Sequence, residues 1–572
     1  MGSLHVSHTT PDTDDSTGTG RSGSTSLPEG GSPMRSRCRF GLVVWGVTIL
    51  FVALVLLANR IWSLEYFSND AAYFDYTYTL IGSGKVPYAD FFVIHGPITY
   101  WVAGLFQAAG PSPIGVALLG IVGYVILVSS TISLAFRACG SSELCRTNSP
   151  DAAWIPRLVR CVSIAILVAT VSGGWYLIAW FVPFGGRPKF LAVGLLMYAV
   201  TAMSSRRAIL AGILLALACW TWQAAVVQAA GLVLVWTVLG LIKRSRTVWP
   251  DLLKLIIAGL IVSAVCILIL FWQGAWQEFL EQAAEFPIKY QRHTLEVRNF
   301  PARGIMRLLV PAGLLWRYLP KSFLVVVAAS LLGWIMVLGR KASTRNGSNG
   351  QPAAGRQQKI GESCVMTAQV GIITLLVFGY LQLVSVTHGP GYVVPLLAPF
   401  GPLAGWVACQ ACIGLKGRQK WMPPALLLIS VLLLAHSTWQ SYGRRSPNPK
   451  QTDGPHGIAE YHAVADQLKE RYPGPIRMVI HGDPRLRALL GGEPLEGDVQ
   501  WIYGRYRYIN ATYEGGTGQY AEDLIAEAPD VVYISERALT IEPDMLQAMG
   551  DTYVRSPDLE LAGRPLYIRV DE

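Results

Sequence analysis

Uncharged apolar stretches of about 20 residues recur along the first three quarters of the chain, the length at which a helix matches the roughly 30 Å hydrocarbon core of a bilayer. The first covers 40–59, and others lie near 114–136, 161–182, 190–204, 208–221, 224–242, 255–273, 322–339, 364–387, 390–415 and 421–440. The pattern predicts about eleven transmembrane helices. Between 208 and 242 the apolar run continues for 35 residues, too long for one span, so a break is expected at 220–223. Beyond 442 the period changes. Short apolar runs at 476–480, 531–534 and 566–570 read as strands, and 457–470, 519–527 and 541–549 as helices, which predicts a small α/β domain over 443–572. Residues 1–38 are rich in Ser, Thr, Gly and Pro and read as a disordered tail. The expected fold class is thus a polytopic all-α membrane domain, 39–442, followed by a C-terminal α/β domain.

Composition agrees with this pattern. The 572 residues are 52% hydrophobic and 15% charged, whereas soluble chains carry about 25% charged residues. The net charge of +10 is the sum of unlike parts. Residues 443–572 hold 14 Lys and Arg against 21 Asp and Glu, a net of −7, which leaves 33 against 16, a net of +17, in 1–442. Arg35, Arg37 and Arg39 precede the first span, so the positive-inside rule puts the N-terminus in the cytoplasm. Alternation then collects Arg137, Arg146, Arg157, Arg160, Arg206, Arg207 and the basic residues of 243–254, 340–359 and 416–420 on the cytoplasmic side. An odd number of spans makes 443–572 extracytoplasmic, along with large loops at 61–113 and 274–321. The expected location is a cell membrane, crossed many times. A nucleic-acid partner is excluded because the expected soluble domain is acidic. Cys409 and Cys412 form a lone C-x-x-C at the end of a span and read as buried small residues.

Candidate chemistry concentrates outside. Of twelve acidic residues between the tail and 442, eight fall in two outer loops: Glu65, Asp70, Asp75 and Asp90 in the first, Glu278, Glu281, Glu285 and Glu296 in the other. The first loop interleaves its carboxylates with Tyr66, Tyr73, Tyr76 and Tyr78. A carboxylate among rings loses water, its pKa rises, and it becomes suited to general-base work. The same tyrosines also fit an aromatic belt at the membrane surface. Basic residues that break the positive-inside rule complete the set: Lys85, Arg187, Lys189, Lys289, Arg292, Arg298, Arg303 and Arg307.

Three short motifs follow the first span in order: D-x-x-Y at 70–73, G-x-x-P-Y-x-D-F at 84–91 and H-G-P at 95–97. This arrangement resembles the GT-C membrane glycosyltransferases, in the bacterial branch similar to protein O-mannosyltransferases, the lipid A aminoarabinose transferase and the rhizobial lipopolysaccharide core glycosyltransferases. The resemblance implies transfer of a sugar from a polyprenyl-phosphate carrier to an extracytoplasmic glycan, lipid or protein acceptor, with inversion. It assigns the general base to Asp70 and a second loop carboxylate to Asp90, with Asp75 and Glu65 as alternatives for the base. Asn69 stands where many relatives carry a second acid. Charge that grows on a departing phosphate needs fixed cations, and Arg292, His293 and Arg298, then Arg187 and Lys189, are the candidates. Tyr73, Tyr88, His95 and His388 are expected to contact donor or acceptor. No metal and no cofactor other than the lipid-linked donor is expected. A flippase of lipid-linked glycan, the competing class, would carry charges inside its spans, and these spans hold almost none.

Overall fold

The computed structural model describes residues 42–53, 69–108, 113–140, 154–174, 188–242, 248–290, 313, 321–346, 356–385, 394–414, 421–445, 458–495, 498 and 505–570. Residues 43–572 form one compact unit. The tail at 1–38 lies outside the described residues.

A helix overlies each of the apolar stretches. In chain order these are α1 (Leu42–Ala53), α4 (Pro113–Cys139), α5 (Trp154–Ala169), α6 (Pro188–Ser204), α7 (Ala208–Thr221), α8 (Ala225–Ile242), α9 (Val248–Trp272), α10 (Lys321–Asn346), α11 (Arg356–Ser385), α12 (Phe400–Gly414) and α13 (Met422–Arg445). Between α1 and α4 the chain contributes α2 (Asn69–Gly82) and α3 (Pro97–Phe106). Among the described residues five helices are long and apolar enough to cross a membrane: Leu118–Cys139, Ala225–Ile242, Val248–Trp272, Ser363–Leu383 and Val394–Cys412. The chain has the helix content and apolar faces of a membrane protein.

Several boundaries differ from the sequence reading. The helix expected to end at 440 runs to Arg445, and the one expected from 255 begins at Val248, because helical hydrogen bonding continues past the last apolar residue into polar flanks. The long apolar run does break. α7 stops at Thr221, Trp222 is extended, and α8 starts at Ala225. Small residues let helix backbones cross closely. At Gly212 of α7 an added Cβ would meet the Leu255 carbonyl oxygen of α9 at 2.1 Å.

The C-terminal module holds α14 (Ile458–Arg471), β1 (Met478–His481), α15 (Arg485–Leu490), α16 (Arg505–Thr512), α17 (Gly516–Ala526), β2 (Val531–Ile534), α18 (Glu542–Met549), β3 (Tyr553–Leu561) and β4 (Arg564–Arg569). The strands form one sheet in the order β1-β2-β4-β3, with β1 and β2 parallel and the other pairs antiparallel. Every residue of β1 and β2 is buried, as parallel strands covered on both faces must be. Met478 and Ile480 face one apolar cluster with α14, and Val479 faces another with α17 and α18. β3 was absent from the expected elements. Its register shifts between Arg555 and Glu560, and its burial pattern lacks the alternation by which strands are read from sequence.

Candidate functional site

The site begins with the motif residues between α1 and α4, whose spacing has a local structural cause. α2 ends in a turn where Lys85 N–H donates to the Leu80 carbonyl and Gly84 N–H to the Ile81 carbonyl, both at 3.0 Å, with Gly84 at φ +87°. That is a Schellman cap, which favours glycine because of the positive φ. The glycine of G-x-x-P-Y-x-D-F therefore stops the helix. Pro87 then leads into Tyr88, which sits at φ +71°, an outlier for a bulky side chain. Both ends of that tyrosine are fixed. Its hydroxyl donates to the His95 carbonyl oxygen, and its ring lies edge-on to Tyr100 at 5.9 Å and to Phe279 at 5.2 Å. Packing thus holds the strained turn. Asp90 is exposed, and its Oδ2 accepts from Val86 N–H at 2.6 Å. The carboxylate read as a second catalytic acid fastens its own turn.

α2 is apolar on nearly every side, with Tyr73, Phe74, Tyr76, Tyr78 and Leu80 buried in one aromatic cluster with Tyr88, Tyr100 and Phe279. Asp75 stands in this helix. Its side chain is partly exposed, yet Oδ1 is enclosed and has no hydrogen-bond partner among the described residues. Burial pushes its carboxyl well above the usual carboxylate range, since low dielectric penalises the charged form. Tyr78, one turn on, feels its charge and is itself pushed upward by burial.

From α2 the contacts run inward. Phe74 stacks on the His95 ring at 5.7 Å. The next residue, Gly96, lies so close to the break between α7 and α8 that an added Cβ would meet the Trp220 carbonyl oxygen at 1.9 Å. Gln223 spans the break, donating to the Ile94 carbonyl at 3.1 Å and the Ala283 carbonyl at 3.0 Å. Gln282, in a π-helical stretch at Leu280–Glu285, accepts from Val93 N–H and donates to the Tyr88 carbonyl. At the break itself, buried Lys189 of α6 places Nζ 5.9 Å from the centre of the Trp222 ring. The H-G-P segment is thus in contact both with the helix that carries Asp75 and with the helix break that the buried cation touches. Gly96→Ala is expected to cost about 1–3 kcal/mol through backbone overlap, seen as a lowered Tm of the purified protein; an unchanged Tm would contradict the close approach.

The α/β module closes over α2. Tyr76 OH donates to the Gly492 carbonyl at 2.8 Å, and the Arg487 guanidinium lies 5.5 Å from the Tyr76 ring centre. Phe286 of the 276–290 segment meets Tyr508 of α16 edge-on at 4.6 Å. Lys289 of the same segment pairs with Glu285 at the surface.

Of the residues read from sequence, Tyr73, Tyr88, His95 and Lys189 fall in this region. Asp70 is the second residue of α2, and its side chain is outside the described part. Arg187, Arg292, His293, Arg298 and His388 lie outside the described residues. Among the described residues Asp75, only an alternative from sequence, has an enclosed carboxylate oxygen without a partner, as does Glu278, and burial pushes the Asp75 carboxyl upward. Gln223 and Gln282 belong to no motif, although a glutamine inside an uncharged apolar run was a signal in the case of Gln223. Among the described residues no group of three or more His, Cys, Asp and Glu is placed to hold a metal ion. Neither a protein-family model nor a curated protein sequence matches the chain.

Proposed function

We propose that this chain is a membrane glycosyltransferase that moves a sugar from a polyprenyl-phosphate carrier to an acceptor hydroxyl outside the cytoplasm. In this reading all eleven apolar helices cross the bilayer, the N-terminus is cytoplasmic, and α2, α3, 276–290 and the α/β module lie on the outer side. The observation that carries it is the run of contacts from the Asp75 helix through Phe74, His95 and Gly96 to the helix break and Lys189. In this reading a carboxylate and a cation flank that loop. Inverting transfer needs that division. The acceptor oxygen attacks the anomeric carbon as a carboxylate takes its proton, and the bond to the phosphate oxygen breaks on the opposite face, leaving negative charge on the phosphate.

Depth supports the same reading. With 14 residues, α7 is about 21 Å long at 1.5 Å per residue, short of the roughly 30 Å hydrocarbon core. Its break with α8 then lies below the outer surface, within reach of a phosphate carried on a lipid. Irregular backbone at such depth persists only where protein or a cavity surrounds it.

For the base, the resemblance favours Asp70 and the geometry favours Asp75, both on α2. Lys189 is the phosphate cation of the described part, with Arg187, Arg292, His293 and Arg298 proposed beside it. His95 and the rings of Tyr73 and Tyr88 shape the sugar side, with His388 proposed to join them. The donor supplies the only activated bond, and no separate cofactor is required. The test is purified protein in vesicles with a labelled polyprenyl-phosphate hexose or pentose and a crude envelope acceptor fraction. Labelled acceptor with release of polyprenyl phosphate is expected. Movement of the intact lipid across the vesicle without transfer would identify a flippase and overturn the reading.

A further inference from the structure

The α/β module touches the membrane part at the helix that carries Asp75, and the contact is made by charges that are themselves buried. Arg487 and Asp498 form an ion pair of 2.6 Å with side chains 4% and 1% exposed, and Arg487 also donates to the Met478 carbonyl of β1 at 3.0 Å. This arginine is fixed in the sheet, and it presents its guanidinium to the Tyr76 ring. Tyr76 OH in turn donates to the Gly492 carbonyl, and Ala488 packs against the aromatic cluster. A cation held over a tyrosine ring, with the hydroxyl bonded beyond it, grips α2 at two points.

We propose that the C-terminal module is a latch on α2, with Arg487, Asp498 and Tyr76 as positioning residues that fix the helix and keep water from the adjoining Asp75. This rests on the glycosyltransferase reading for its effect on turnover, but not for the latch itself. Tyr76 and Asp75 are neighbours in the helix, about 100° apart around its axis. Loosening the Tyr76 face frees the helix segment that carries the enclosed Asp75 Oδ1. Other ionisable groups on the elements packed around α2 are Tyr73 and Tyr78 of α2 itself, Tyr88 and His95 of the loop, Tyr100 of α3, Glu278 of the 276–290 segment, and Arg487, Glu493 and Asp498 of the module. None of the charged ones contributes to the upward shift at Asp75, which burial alone produces. Admitting water therefore moves that carboxyl down, towards its ordinary value.

The full-length protein in detergent or nanodiscs decides the matter with two measurements. Hydrogen exchange of the 69–82 amides is compared in wild type, Tyr76→Phe, Tyr76→Ala and the double variant Arg487→Met with Asp498→Leu. The double change removes both buried charges together, so that neither is stranded and the module can fold. Faster exchange at 69–82 is expected in Tyr76→Ala and the double variant, with unchanged exchange in β1 and β2 and partial recovery in Tyr76→Phe. Unchanged exchange at 69–82 overturns the latch, whatever the protein catalyses. The second measurement is the pH profile of sugar transfer. The acidic limb is expected to move to lower pH by about one unit in Tyr76→Ala, a fraction of the 3–5 units that complete burial produces, with kcat about 10- to 100-fold lower, as misplaced catalytic groups give. A fall in activity with an unmoved limb overturns the effect on Asp75, since loss of folded protein lowers the amplitude alone. Absence of transfer in wild type refutes the glycosyltransferase reading and leaves the exchange result to stand or fall by itself.

Discussion

Asp75→Asn is expected to make the protein more heat-stable above neutral pH while lowering sugar transfer by about 10²–10⁴-fold, the usual contribution of a general base. The two effects have one origin. Burial raises the carboxyl of Asp75 in the folded chain, whereas in the unfolded chain it titrates near its ordinary value of about 3.9. As pH rises above that value the unfolded chain releases the proton and the folded chain retains it, so folding loses stability until pH passes the raised value. Asparagine does not titrate. The variant's advantage in Tm is therefore near zero at acid pH, grows as pH rises and then levels off. Thermal unfolding from pH 4 to pH 9, with turnover measured on the same preparations, checks both halves. Asp70→Asn is the comparison. If it abolishes transfer and Asp75→Asn does not, the base is Asp70, as the resemblance implies, and the enclosed oxygen of Asp75 is a structural cost without catalytic return.

Lys189→Gln is expected to lower kcat/KM by about 10²–10³-fold, the scale observed when one preorganised partner of a developing negative charge is removed. Lys189 is 8% exposed and faces the Trp222 ring, so the field of its ammonium is little screened by water. Charge alone is not enough, because an ammonium and a guanidinium differ in shape and hydration. Lys189→Arg should recover only part of the activity. The readout that separates a phosphate contact from a packing role is inhibition by free polyprenyl phosphate, the leaving group. Its inhibition constant should rise in Lys189→Gln together with the loss in kcat/KM. Loss of activity with unchanged inhibition would place the phosphate elsewhere among the outer basic residues.

The motifs between α1 and α4 were readable from sequence for two different reasons. Gly84 and Pro87 mark a turn because a Schellman cap and a fixed φ restrict which residues serve there. Gly96 looks equally like a turn glycine, but its place is set by the Trp220 carbonyl, 124 positions away in sequence. Asp90 and Asp75 show the limit of motif reading. Both are loop acids near aromatics, and sequence ranked Asp90 above Asp75. Local hydrogen bonding engages Asp90 with Val86 N–H, whereas Asp75 Oδ1 is enclosed without a partner on a helix packed into the aromatic cluster.

By itself the sequence determined the apolar helices, the break within 208–242 and the α/β character of 443–572. Each follows from the period and length of hydrophobic runs, which are local properties of helices and strands. It also marked the segment between the first two apolar stretches as the place to look, because carboxylates and rings there alternate too densely for a solvated connector. Only the tertiary structure decided that Asp75 carries an enclosed oxygen, that Lys189 is buried against the Trp222 ring at the helix break, and that Tyr76 is held by Arg487 of a distant module. Burial and electrostatic environment are sums over neighbours that the fold brings from far along the chain, and no window of sequence contains them.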